Sequence, residues 1–272
     1  MTPESREAAH GRTMAPSADA AAQGHYYRKL LGCRSGVIAW SHRARFRRAL
    51  HLVGPATGRL LDYGCGDGTF LAMAAPRISE GWGADVALDQ IEDCRRRFSG
   101  LPNLHFCSVA ALGDGTRDGS YDLVTCMETL EHCTAPVVEI VLGDLARLAA
   151  PGGRIVISVP IEIGPTFLLK TAIRRLAAWR GLSDYRFYES YTPRAAWQMV
   201  FAKRGTTLDR PVYGAPEAPY HSHYGFNWRA MRERVSAHLR VERTMFTPLG
   251  ALGGWVSSQA WFVCQPPRPA MA

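Results

Sequence analysis

From residue 57 onward the chain alternates short apolar runs with amphipathic stretches. Gly58–Tyr63, Trp82–Val86, Leu104–Val109, Tyr121–Met127 and Arg154–Val159 have the length and apolar content of buried strands. Between them the spacing predicts helices over Thr69–Ala75, Ala87–Phe98 and Ala135–Ala149. Pro76 closes the first, and Arg95-Arg96-Arg97 suits the negative end of the second. Pro136 fits the first turn of the third, which Pro151-Gly152-Gly153 ends. This rhythm implies an α/β fold with a doubly wound, mostly parallel sheet covered on both faces. It breaks at Pro160–His223, where helices over Pro165–Arg180 and Pro193–Lys203 flank a tyrosine-rich loop, and resumes with a helix at Asn227–Leu239 and strands at Arg240–Phe246 and Gln259–Cys264. The expected layout is a loose tail at 1–24 and one domain at 25–272. Within it, 25–52 is a helical N-terminal lid, 53–160 the core, 161–225 a lid insertion after the fifth strand and 226–272 the end of the sheet. Met14 offers a second start within the tail.

Composition narrows the class. Apolar residues make up 47% of 272, an ordinary globular share. The longest apolar runs, such as Val137–Leu142 and Ile155–Val159, fall far below the ~20 residues of a bilayer span. Met1–Gly24 contains no apolar stretch of the kind a secretory signal needs. The seven cysteines are odd in number and include no C-x-x-C pair, which opposes a disulfide framework or a zinc knuckle and predicts a reducing, cytoplasmic setting. Charge is segregated: residues 51–159 carry 8 basic and 14 acidic side chains, whereas residues 1–50 carry 9 and 3, and 160–210 carry 9 and 4. Basic flanks around an acidic centre suit an anionic partner or plain solvated helix faces.

The chemistry concentrates in Asp62-Tyr63-Gly64-Cys65-Gly66-Asp67-Gly68, where a strand runs into three glycines and opens a helix. Glycines let backbone N–H groups approach a ligand closely. Asp62, two residues before the first glycine, would repel a phosphate but welcome an ammonium or sulfonium. The dinucleotide pattern G-x-G-x-x-G fails at Thr69. Asp85, at the end of the second strand, is placed to take both hydroxyls of a ribose. Together these features describe a nucleoside joined to a cationic amino-acid end, as in S-adenosylmethionine.

With LLDYGCGDGTFL (60–71), GADVA (83–87), DGSYDLVTCMETLEH (118–132) and LAAPGGRIVISVP (148–160) in register, residues 57–160 resemble the class I S-adenosylmethionine-dependent methyltransferases. The likeness is to the small-molecule members of the ubiquinone-pathway O-methyltransferase type, whose sheet is Rossmann-like. It implies that Asp62, Gly64 and Gly66 hold the methionine end, Asp85 the ribose and Val86 the adenine, with Cys65 in the loop and Met127 completing the surface. Many members place an acid after the third strand, where this chain has Ala110 and Ala111.

Cys126-Met127-Glu128-Thr129-Leu130-Glu131-His132 ends the fourth strand, where side chains line the ligand crevice. The segment is similar to one in ubiquinone-pathway and small-RNA 2′-O-methyltransferases, which implies Glu128, Glu131 and His132 as ligands of a divalent ion such as Mg²⁺. The alternative is that Glu131 and His132 serve only the first turn of the following helix. Glu128 is expected at the reacting centre, and a hydroxyl acceptor could pass its proton to His132, His221 or His223. The last two lie in Tyr220-His221-Ser222-His223-Tyr224-Gly225-Phe226.

Two basic, aromatic segments are expected to cover the acceptor. In the insertion, Leu168, Leu169, Ala172, Ile173, Leu176 and Trp179 share one helical face, with Lys170, Arg174 and Arg175 off it. Such a helix packs on the core as a lid, or lies on an anionic membrane through residues 165–180. The expected function is O-methylation of a small-molecule or lipid-linked acceptor bearing an anionic group. The rival readings are an RNA methyltransferase using the basic flanks, which lacks a recognisable RNA-binding module, a NAD-dependent oxidoreductase, and a non-catalytic methyltransferase-like module.

Overall fold

The computed structural model describes residues 24, 26, 27, 35–54, 57–181 and 191–267. The tail to residue 23, Met14 within it, most of 25–34 and the tyrosine-rich loop of the insertion at 182–190 lie outside the described residues.

The core is a seven-stranded sheet in the order β3-β2-β1-β4-β5-β9-β8. Its strands are β1 (Thr57–Tyr63), β2 (Ile78–Asp85), β3 (Leu104–Ser108), β4 (Tyr121–Met127), β5 (Ala149–Pro160), β8 (Arg240–Thr247) and β9 (Gln259–Gln265). β1 to β5 pair in parallel, and β9 runs antiparallel to both neighbours. One face packs α1 (Gly36–Val53), α2 (Thr69–Ala74) and α3 (Leu88–Arg97) over Leu60, Leu123 and Val156. The other packs α4 (Ala135–Leu148) and, further along, α7 (Trp228–His238) over Leu61, Val124 and Ile157. These strand residues are at most 1% exposed, so each contributes about 1.5–3 kcal/mol of burial. That double coverage is why the runs read as continuous apolar stretches.

Two departures from the sequence pattern have steric causes. β2 starts at Ile78, four residues before the apolar run suggests, because Gly81 and Gly83 interrupt the pattern. A Cβ at Gly81 would meet Leu104 Cδ2 at 2.8 Å, and one at Gly83 would meet Phe106 Cδ1 at 2.7 Å, so the neighbouring strand supplies the apolar filling. β5 starts at Ala149, not Arg154. Pro151-Gly152-Gly153 lies within the strand, where the register against β4 shifts between Tyr121 and Leu123.

The insertion carries α5 (Pro165–Trp179) and α6 (Pro193–Phe201), then a two-stranded hairpin of β6 (Val212–Tyr213) and β7 (Tyr220–His221). The hairpin is too short to leave a periodic signature. A 3-10 turn at Gly250–Trp255 joins β8 to β9. Strand order reverses between β1 and β4, and the crevice beyond their carboxyl ends is the place where such sheets bind ligands. Asp62 and Gly64 stand on one side of it, Met127 and Glu128 on the other.

Candidate functional site

The glycine loop leaves β1 with Gly64, Gly66 and Gly68 all at positive φ (77°, 53° and 69°). Gly64 is doubly constrained, since a Cβ there would collide with the Thr129 hydroxyl. Gly64 N and Cys65 N both donate to the Ala84 carbonyl, at 2.7 and 3.0 Å, which ties the loop to β2. Gly66 N donates to Asp85 Oδ2 at 2.8 Å, and Ala87 N donates to Asp85 Oδ1 at 3.0 Å. Asp85, the acid expected at the ribose, therefore also shapes the loop. At Gly66 a Cβ would have only Gln90 Oε1 nearby, at 3.7 Å, so the residue faces open space where a ligand backbone can lie. Asp62 is buried and accepts a hydrogen bond from Thr125 Oγ1 at 2.7 Å. Burial pushes its carboxyl up to about 7; the Thr125 bond opposes this and the charge of Asp85 adds to it. A cationic ligand group would reverse that shift. Cys65 is buried within the loop, Val86 is 81% exposed beside Asp85, and Ala110 and Ala111 are exposed on the turn after β3. A cradle of open glycine backbone, two carboxylates and an exposed apolar residue fits the three parts of S-adenosylmethionine.

The other side of the crevice is assembled differently. A cleft of about 200 Å³ lies between α1, α5 and the β8–β9 connection. Val37, Trp40, Leu169, Ile173, Leu249 and Val256 supply its apolar walls, and His42, Glu128, Glu162, Lys170, Arg174 and His223 its polar groups. Glu128 directly follows β4 with φ 53°, left-handed for a non-glycine residue. Arg45 Nη1 pairs with Glu128 Oε2 at 3.0 Å, and Ser158 Oγ donates to Oε1 at 3.1 Å. Glu128 thus faces the cleft, as expected, but its carboxylate is held by α1 and β5.

The possible metal ligands are consequently redistributed. Glu131, His132 and His223 each offer a ligand atom, all within 4.8 Å of one another; Glu128 is not in this group and His223 is. Both Nε2 atoms lie 3.9 Å from Glu131 Oε1. Glu131 is fully buried, and among the described residues neither of its carboxyl oxygens has a hydrogen-bond partner. Burial, reinforced by the charge of Glu128, pushes its carboxyl well above the usual range. His132 Nδ1 is 2.9 Å from the His221 carbonyl, and burial lowers the imidazole below its ordinary value.

His221 does not join the group. Its Nδ1 is 2.9 Å from the Pro211 carbonyl, and its ring lines a separate cleft with Arg204 and Arg210. Its backbone brackets His132, with His221 N donating to the His132 carbonyl at 2.9 Å. The expectation of a catalytic His221 side chain is corrected accordingly: the hairpin pairing turns the ring outward.

The sequence pattern passed over three groups. Glu162 is 1% exposed and takes Lys170 Nζ at 2.5 Å and Arg174 Nη2 at 3.2 Å. Burial pushes Glu162 up, but Lys170, Arg174 and His223 outweigh it and hold the carboxyl well below its ordinary range. His42 lines the cleft with its Nδ1 2.8 Å from the Tyr26 hydroxyl; burial pushes its imidazole down to about 4 against the pull of Glu128. Arg45 lies among charges that read as a solvated run. The insertion helix is also turned relative to expectation: Lys170 points inward, while Leu168, Leu176 and Trp179 are 54%, 50% and 80% exposed.

Comparison with known proteins agrees with this geometry. A family model described as "Methyltransferase domain" matches residues 39–210. The ubiquinone biosynthesis O-methyltransferase of Methylococcus capsulatus is 36% identical over 105 residues, 37% of this chain and 42% of that protein. Its namesake from Xanthomonas oryzae pv. oryzae is 31% identical over 151 residues, 52% of this chain and 61% of the relative. The chain thus spans about half the length of the curated relatives it matches. A Pyrococcus horikoshii protein of known structure superposes with a TM-score of 0.54 at 15% identity, covering 90% of this chain and 99% of that one, a likeness of fold alone.

Proposed function

The chain belongs to the methyltransferase-domain family of S-adenosylmethionine-dependent enzymes, and from that premise we propose that it methylates a hydroxyl on an acceptor with an apolar body and an anionic group. The cleft carries this reading: apolar walls converge on Lys170, Arg174 and His223 beside the end of β4. The relatives' name supports oxygen as the receiving atom.

Bound S-adenosylmethionine supplies a methyl group on a sulfonium, a leaving group that needs no protonation. The residues therefore act mainly by alignment. Asp62 meets the ammonium end and Asp85 the ribose, while the glycine loop fixes the reach of the donor. Lys170 and Arg174 draw the anionic group of the acceptor into the cleft. His42 and His223 line the same cleft, with Glu128 and Glu162.

Glu131, His132 and His223 fit a borderline divalent cation such as Mn²⁺, because a buried carboxylate without a hydrogen-bond partner among the described residues and two imidazoles form a mixed oxygen and nitrogen donor set. Such an ion lowers the pKa of a hydroxyl. Among the described residues no helix is long and apolar enough to cross a membrane. The exposed Leu168, Leu176 and Trp179, with Arg175 and Arg180 alongside, support peripheral contact with an anionic lipid surface.

Methyl-labelled S-adenosylmethionine offered to the full chain with an alkyl-substituted ortho-dihydroxyarene tests the reading. A methyl ether is the expected product, diminished by a chelator. Transfer to an amine analogue in its place would overturn the assignment to oxygen.

A further inference from the structure

We infer that Glu162 is a positioning residue that fixes His223 with its Nε2 turned toward Glu131 and His132. The inference rests on the cation reading given under Proposed function and extends it to a residue outside the Glu-x-x-Glu-His segment.

Hydrogen-bond polarity carries the argument. His132 Nδ1 lies 2.9 Å from the backbone carbonyl of His221. A carbonyl only accepts, so Nδ1 holds the proton and Nε2 keeps its lone pair. His223 Nδ1 lies 3.4 Å from Glu162 Oε1, and that carboxylate is itself paired with Lys170 and Arg174. A carboxylate bound by two cations also only accepts, so His223 Nδ1 donates and its Nε2 is the free lone pair. The two rings, 5.1 Å apart between centroids, then aim like lone pairs at the same carboxylate oxygen, each from 3.9 Å. At 3.9 Å neither imidazole bonds to Glu131, and a divalent cation would displace the carboxyl proton and take up both lone pairs. Carboxylate–histidine–metal relays of this form fix the tautomer and raise ligand basicity.

Glu162 has a second connection. Lys170 and Arg174 lie on α5, so the helix that walls the acceptor cleft also holds the carboxylate that holds His223. Lys170 Nζ additionally donates to the Ile161 carbonyl at 3.2 Å, anchoring the clamp to the backbone after β5. The position of the insertion helix is thereby linked to a cation ligand through one side chain.

Two measurements on the full chain test this. The first is titration of Mn²⁺ alone, followed by electron paramagnetic resonance, with thermal melting as a folding control. Glu162→Gln is expected to weaken Mn²⁺ binding by about 10–100-fold, while Arg96→Gln on the exposed face of α3 leaves it unchanged. The second needs no substitution at Glu162: nitrogen NMR of ¹⁵N-histidine protein without metal, with His223 assigned by its loss in His223→Gln. The Nδ1–H tautomer is expected. Wild-type protein that binds no Mn²⁺ would defeat the cation reading, leaving the tautomer measurement to decide the role of Glu162. Undiminished Mn²⁺ binding in a folded Glu162→Gln variant, or the Nε2–H tautomer at His223, would overturn the inference.

Discussion

The proposed cofactor half and the proposed acceptor half of the crevice are built on opposite plans. On the donor side, Asp62, Gly64 and Gly66 come from one turn and Asp85 from the next strand, and the link between them is a backbone N–H. On the acceptor side, the groups come from α1, the end of β4, the start of the insertion, α5 and the segment after β7, and side chains link them. The first plan depends on backbone conformation, which few residue types permit. The second depends on tertiary placement, which many sequences can reach. The donor half should therefore fail abruptly under small changes, and the acceptor half should change what it binds before it loses its shape.

Gly64→Ala should have the largest effect. Positive φ already disfavours a side chain, and the added Cβ would collide with Thr129. Affinity for S-adenosylhomocysteine should fall by about 100-fold or more, read by calorimetry; near-normal binding would show that the loop adapts and would break the contrast. Asp85→Ala comes next. It removes two backbone hydrogen bonds and the ribose contacts expected of it. At about 2 kcal/mol, the loss is roughly thirtyfold in the same titration. Unchanged affinity would remove Asp85 from the ribose site.

Asp62 sharpens the comparison through pH. Its carboxyl sits at about 7 in the cofactor-free protein, above its ordinary value. The cationic ligand needs the ionised form, so S-adenosylhomocysteine affinity should rise about tenfold between pH 6 and 8, and Asp62→Asn should flatten the profile. The same shift affects stability with a definite sign. A carboxyl raised on folding stabilises the protonated, low-pH protein, and that contribution is lost as pH climbs through about 7. Asp62→Asn should therefore raise the melting temperature of cofactor-free protein relative to wild type at pH 8 more than at pH 5. The smallest effect belongs to the acceptor half: Trp179→Ala with Leu176→Ala should reduce binding to anionic vesicles several-fold and leave cofactor affinity untouched. Equal loss of both would mean that the two halves are not separable.

The same contrast explains what the sequence made legible. The parallel core strands and the glycine loop could be read because Gly64, Gly66 and Asp85 sit at fixed spacings imposed by a strand–turn–helix unit. The likeness to a known family pointed to the same residues. Glu128 was placed in the crevice by its position at a strand end, but its partner Arg45 was hidden in a basic run that looks like solvent-facing charge. Glu162 carried no signal at all. A lone acid two residues past a strand becomes informative only when Lys170 and Arg174, eight and twelve residues later, fold back on it. His221 and His223 were indistinguishable as letters, and only the short hairpin pairing sends one ring outward and the other into the cleft.

Tyr26 ties the two halves together. Its backbone N–H donates to Asp67 Oδ2 at 2.8 Å on the glycine loop, while its hydroxyl meets His42 in the acceptor cleft and the Arg45 guanidinium lies over its ring. A residue that fastens one site and furnishes the other turns exchange of the two ligands into a queue. Opening of this contact would loosen the glycine loop and the cleft together. Turnover should accordingly show compulsory order, with S-adenosylhomocysteine competing against the donor and not against the acceptor.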